Sequence, residues 1–231
     1  MEKKSMKDLK TFRSDWNAGH KRLRQLLSDE VLKEAKNLFH AQHKVLHAGE
    51  MSGEDTWSYA DEVFQGLTES QLRTISEKEE HSLIWILWHI SRIEDVTMNI
   101  LVADGVQVYH RDNWESKLNS PIQHTGNTIQ DDDLYALSRQ VNPDQLFSYR
   151  IAVGRQTRRV IENLPREDLA KKPTPNRLER LLTEGAVIPE AEILIKYWSR
   201  RKIYQLLLMP PTRHLMVHLN EANSLRKTLI E

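Results

Sequence analysis

Residues 80–103, EHSLIWILWHISRIEDVTMNILVA, run without a single glycine or proline. Apolar side chains recur through the stretch at helical spacing, and it is far longer than an ordinary β-strand. It predicts one long helix, ended by Asp104-Gly105. The apolar stripe of such a helix must pack against other elements. The rest of the chain supplies helical segments for the purpose: only 8 Gly and 8 Pro are present in 231 residues, clustered between Leu-rich stretches. Residues 29–48 carry Leu32, Ala35, Leu38, Phe39 and Leu46 at helical spacing, and Gly49 with SGED (52–55) stops them. A shorter helix fits 57–66, and TESQ (68–71) is a capping start. Asn142-Pro143 caps a further strong helix reaching about residue 163. A fourth is expected over 190–208, broken by Pro210-Pro211, and a last one runs from Thr212 to about 229. Segments 105–142 and 165–189 are punctuated by Pro, Gly, Asn and Asp, with one short helix near 130–139. Four long helices with a long crossover between the second and third core helices, plus extra short helices, predict an all-α four-helix bundle. Residues 1–28 are expected to be a charged N-terminal extension, and 29–231 one helical-bundle domain.

Lys plus Arg and Asp plus Glu number 33 each, so the formal charge is zero. Nucleic-acid binders usually carry a basic excess, and no such partner is expected. The start, MEKKSMKDLK, is charged and unlike a signal peptide, and the most apolar run, LIWILWHI (83–90), is far short of a membrane span. A cytoplasmic location is the default, without a membrane partner. A homodimer is compatible with the sequence, which offers no handle on it. Cysteine is absent, so any metal site must come from His, Asp, Glu and neutral oxygens.

Histidine is where chemistry concentrates. Ten histidines in this length give about 0.4 HxxxH pairs by chance, and the chain has two, His43/His47 and His214/His218. At about 100° per residue, His214, His218, Ala222, Leu225 and Leu229 share one stripe of the last helix. His89 shares its stripe with Trp85, Ile86, Ile93, Val96 and Ile100. The polar set Ser91, Arg92, Glu94, Asp95 and Asn99 takes the other side, so Glu94 and Asp95 are expected in solvent, with His81. His40, His43 and His47 fall at the border of the apolar stripe of 29–48, as boundary histidines or a surface metal site.

Three inward imidazoles thus come from two helices. Each alone reads most simply as a core histidine bonded to a neighbour. Together they leave three polar rings in apolar stripes, and one divalent ion would satisfy all three. His89, His214 and His218 with a vacant position match the open pattern of a catalytic metal. Zinc, nickel and iron accept such ligands, as does copper. Glu221 could support His218 or act as an occasional fourth ligand. The HExxH, Glu-x-x-His and Gly-x-Ser-x-Gly patterns are absent, as are phosphate-binding and dinucleotide glycine loops.

WHISRIED (88–95), the long crossover and TRHLMVHLNEA (212–222) together resemble the DinB-like superfamily of metal-binding four-helix proteins. The resemblance implies an up-down-down-up bundle. It also implies a metal site made of one histidine from the second helix and two from the fourth, the positions of His89, His214 and His218. For function it implies a metal-dependent transferase that uses a small thiol cosubstrate, or a hydrolase, acting on a small molecule. The alternative is a non-catalytic, stress-related binding module whose histidine cluster is structural or vestigial. A third reading, nucleic-acid binding through an arginine-rich helix, runs against the zero net charge. Trp85 is placed to wall the metal pocket. Arg155, Arg158 and Arg159, with Arg150 nearby, could clamp an anionic substrate or form a solvated basic face. The same pair of readings applies to Arg200, Arg201 and Lys202.

Overall fold

A computed structural model describes residues 8–53, 57–75 and 81–230. The fold is all-α, and no strand occurs among the described residues. Among the described residues, no helix is long and apolar enough to cross a membrane.

Helix α1 (Leu9–Ser28) starts at Asp8, whose carboxylate accepts from the amides of Lys10 and Thr11. It falls where the sequence suggests a charged extension. Residues 1–7 of that segment lie outside the described residues. From residue 9 the charges flank a stripe of Phe12, Trp16, His20, Leu23, Leu26 and Leu27, all buried. A stripe with that three-and-four spacing is what a core-facing helix needs, and α1 packs along α2 (Leu32–Lys44). Helix α2 ends earlier than its apolar pattern suggests. The chain turns out at Val45, whose carbonyl accepts from the Tyr59 amide at 2.7 Å.

Helix α3 (Leu83–Val96) is capped by the Ser82 hydroxyl and continues as a π-helical stretch, Thr97–Val102. Every residue from 82 to 102 is buried. Helix α4 (Pro143–Asn163) lies along it, with the Asn142 side chain accepting from the Gln145 amide and Pro143 in the first turn, as the sequence predicts. Two apolar clusters surround α3, one at Leu83–Ile90 and one from Ile93 onward. Between them α3 places Ser91, Arg92, Glu94 and Asp95 in a buried polar layer.

The connection 105–142 holds short helices Val108–Arg111, Trp114–Leu118 and Asp131–Gln140. Its middle lies across α3. Trp88 Nε1 donates to the His124 carbonyl at 2.9 Å, and Arg92 Nε donates to that of Gln123 at 2.9 Å. Gly126 turns there with φ +79°, and a Cβ on it would sit 3.1 Å from Trp85 Nε1.

The helix expected over 190–208 is three pieces: a 3₁₀ turn at Pro189–Ala191, then Glu192–Ser199 and Ile203–Leu207. The last break occurs where the Ile203 and Tyr204 amides turn to the carbonyls of Lys171 and Leu169. The final helix opens as a π-helical turn, Met209–His214, and continues as α5 (Leu215–Ile230). Its two prolines sit in the opening turn, where a missing N–H costs nothing.

Candidate metal centre

His89 comes from the middle of α3, and His214 and His218 from successive turns at the start of the last helix. Their ring centroids lie 4.9 Å (His89–His214), 4.9 Å (His89–His218) and 4.5 Å (His214–His218) apart. One nitrogen of each ring lies within 4.8 Å of the others, close enough to hold one metal ion. Nε2 of His89 and Nε2 of His214 lie 3.1 Å apart. Two imidazoles on one tetrahedral zinc, at roughly 2.0–2.1 Å each, would put their nitrogens about 3.3 Å apart.

The opposite edges of two rings are tied. His89 Nδ1 donates to the Thr125 carbonyl at 2.7 Å, so its Nε2 presents a lone pair. His218 Nδ1 donates to Glu221 Oε2 at 2.7 Å, with the same result. These are the supports that metal-binding histidines characteristically carry. Trp85 stacks on His89, 4.7 Å between centroids and 7° between planes, and His81 stacks on the far face of Trp85 at 3.6 Å. His81 thus closes the stack instead of meeting only solvent, and lies 3.6 Å from Glu221. Burial, reinforced by His218, drives the His89 imidazole down to about 3. Burial, with His89 and His218 beside it, holds His214 well below the usual range. Both rings are therefore neutral, as ligation requires. Burial alone would raise Glu221, but hydrogen bonds from His218 and His81 hold it at about 2.

The profile of the DinB superfamily matches residues 53–194. The chain belongs to the DinB superfamily. The matched span includes His89 and ends before His214 and His218. Comparison with characterised proteins finds no match to this DinB-superfamily chain.

The remaining site residues divide. Trp85 and Glu221 stand in the cluster as described. Arg155 donates to the backbone carbonyls of Glu50 and Met51, and Arg158 to that of His40. They fasten α4 to the chain around α2 and 49–52. Arg159 lines a separate cavity with Asp168 and Arg177. The structure does not bring these three arginines to the histidine triad.

A second histidine group is the main surprise. His43 and His47, expected at a boundary, are fully buried, as is Glu94, expected in solvent. His43 Nε2 donates to Glu94 Oε1 at 2.8 Å and His47 Nε2 to Oε2 at 2.9 Å. These three also lie close enough to hold a metal. Burial works to raise Glu94, but the two imidazoles hold it well below the usual carboxylate range. Burial presses His47 down to about 3. Arg150, also buried, donates to the Leu46 carbonyl at 2.6 Å and acts on both Glu94 and His47. Asp95 is buried as well. It accepts from the Tyr149 hydroxyl at 2.6 Å, the Asn99 amide at 2.7 Å and the backbone amides of Val108 and Tyr109. The polar side of α3 is therefore an interior network. The signal lay in LIWILWHI: a helix apolar all round is buried all round, and takes its polar residues inside with it.

Proposed function

We propose that His89, His214 and His218 hold one divalent ion through their Nε2 atoms. On this reading the protein is a metal-dependent transferase using a small thiol cosubstrate, or a hydrolase acting on a small molecule. The observation that carries it is the convergence of three ring nitrogens within 4.8 Å, with the outer edges of His89 and His218 already tied. An ion held by three neutral imidazoles supplies a Lewis-acid position that can activate a thiol or a water. Thr125 fixes the tautomer and angle of His89, Glu221 does so for His218, and Trp85 shields the face of His89 from water. Zinc, nickel and iron all suit the donor set. The absence of cysteine is consistent with a cosubstrate that brings its own sulfur. We also infer the family's up-down-down-up bundle for α2, α3, α4 and the final helix, with 105–142 as the crossover. The packing of α3 against α4 and the final helix supports it.

The non-catalytic reading draws on the 3.1 Å contact, because a His214 N–H donated to His89 would tie that pair without an ion. It leaves the matching support of His218 by Glu221 without a purpose. Metal analysis of tag-free protein separates the two. The expected result is about one equivalent of a transition metal in the wild type and none in His214→Ala/His218→Ala. Equal trace metal in both would remove the metal reading. Turnover of thiol and electrophile pairs, or of hydrolysable esters and amides, by the loaded wild type alone then selects the reaction.

A further inference from the structure

Arg201, one of the basic residues at 200–202, lines a cavity of about 360 Å³. The cavity opens between α1, the segments Glu192–Ser199 and Ile203–Leu207, and the start of the final helix. Its wall carries Arg24, Arg201, Arg213, His20, Tyr197 and Tyr204, and it contains no carboxylate. Among the described residues none of the three arginines forms an ion pair. Neutral groups hold two of them instead. The Arg201 guanidinium lies 4.3 Å from the centre of the Tyr197 ring, and that of Arg213 lies 5.0 Å from the Trp16 ring. Arg213 Nη1 donates to Asn17 Oδ1 at 2.7 Å, and Nη2 reaches His20 Nδ1 at 3.4 Å. Arg201 Nε is buried with no hydrogen-bond partner.

Stacking fixes the plane of a guanidinium and leaves its charge and its N–H edges available. His20 registers the uncompensated field. Burial first, then Arg213 and Arg24, push its imidazole down to about 4. It stays neutral, Nε2 bonds the Leu208 carbonyl at 3.0 Å, and Nδ1 is free to accept from Arg213. Arg213 and His214 are sequence neighbours serving opposite sides of one turn: Arg213 meets α1, and His214 meets His89.

We propose that this cavity binds a small phosphate-bearing molecule, its dianion held by Arg24, Arg201 and Arg213 and its organic part against Tyr197 and Tyr204. Three cationic forks suit the oxygens of a phosphate better than the two of a carboxylate. The volume lies at the small end of ligand cavities, fitting a metabolite-sized monoester. A zero formal net charge counts against a nucleic-acid backbone as the occupant.

Calorimetric titration of the full chain with inorganic phosphate and phenyl phosphate, at ionic strength matched with chloride, tests the site. Saturable binding is expected, weakened at least about tenfold in Arg24→Ala/Arg201→Ala, and weakened also in the single variant Arg24→Glu, an exposed position. Arg201→Lys, which keeps the charge and loses the fork, should fall between. Acetate should bind more weakly than phosphate. The His89→Ala/His218→Ala variant should bind phosphate as the wild type does, which separates this site from the metal reading. The proposal is overturned by any of four results. These are no saturable binding, equal binding by arginine variants with native circular dichroism, loss of binding in the histidine variant, or a single-stranded oligonucleotide binding tighter than phenyl phosphate through the same arginines.

Discussion

His43 and His47 share the HxxxH spacing of His214 and His218, yet only the first pair has a carboxylate against its Nε2 atoms. Glu94 takes an N–H from each ring, so those nitrogens are already spent as donors. Arg150 stands nearby with a full charge. A divalent ion placed among His43, His47 and Glu94 would sit beside that guanidinium in a fully buried layer, leaving an excess of positive charge where water cannot screen it. In the other group the carboxylate, Glu221, stands behind His218 at Nδ1 and points Nε2 at the other rings. On the proposed metal reading, the location of the carboxylate, inside the ring of nitrogens or behind it, is what separates a structural cluster from a ligand set. Sequence spacing alone does not carry that distinction.

The largest effect that tests this contrast is on metal affinity. His214→Ala/His218→Ala should lower it by more than the ~100-fold that outer-shell changes produce. His43→Ala/His47→Ala should leave one ion per chain. Elemental analysis of the two variants side by side reads the contrast directly, and a second equivalent lost with His43 and His47 would break it.

Stability should respond the other way round. Removing His43 and His47 strips both donors from a buried carboxylate, a loss expected to cost about 3–5 kcal/mol in urea unfolding. Replacing all three members with apolar residues (His43→Leu/His47→Leu/Glu94→Met) removes the carboxylate together with both donors but takes the counter-charge from buried Arg150, so it should recover part of that loss. If the triple variant is no more stable than the double, the cluster is not held together by the needs of Glu94.

Acid should expose the same burial. His20 and His47 have imidazoles depressed to about 4 and about 3. Below pH 6.5 the unfolded chain takes up protons at both positions while the folded chain refuses them, so stability falls as pH falls toward those values. Each group loses about 1.4 kcal/mol per pH unit in this window, or about 2 kcal/mol by pH 5. Urea unfolding at pH 7, 6 and 5 should show the decline, and His47→Leu should flatten part of it. A flat profile would mean that these rings are not buried in the neutral form.

Much of this organisation was readable from residue order. The cap at Asn142, the lengths of α3 and α4, and the inward stripe of His89, His214 and His218 follow from helical periodicity and simple capping chemistry. What periodicity missed has one physical origin. It sorts residues by polarity around a helix and assigns the polar side to water, but α3 is covered on all sides. Glu94, Asp95 and Arg92 are therefore interior groups satisfied by partners from distant parts of the chain: His43, His47, Tyr149 and Gln107. Long-range satisfaction of this kind leaves no mark on local spacing. The same limit hid the role of α1, whose charges masked a regular buried stripe, and the division of 190–208, which depends on hydrogen bonds to residues 169 and 171.

The smallest expected effect bears most closely on why the two groups differ. Glu221→Gln keeps a side-chain oxygen in reach of His218 Nδ1 and removes its charge. If the carboxylate acts from behind, by orienting His218 and raising the donor strength of Nε2, metal affinity should fall about 10–100-fold with stoichiometry unchanged. The depressed Glu221, held at about 2 by His218 and His81, stays ionised across the range in which the imidazoles load metal. Metal affinity measured against pH should therefore show imidazole protonation in both proteins, displaced in the variant, with no added step from the carboxylate. Should Glu221→Gln instead abolish binding outright, Glu221 would be a direct ligand, and the carboxylate's position would no longer be what divides the two clusters.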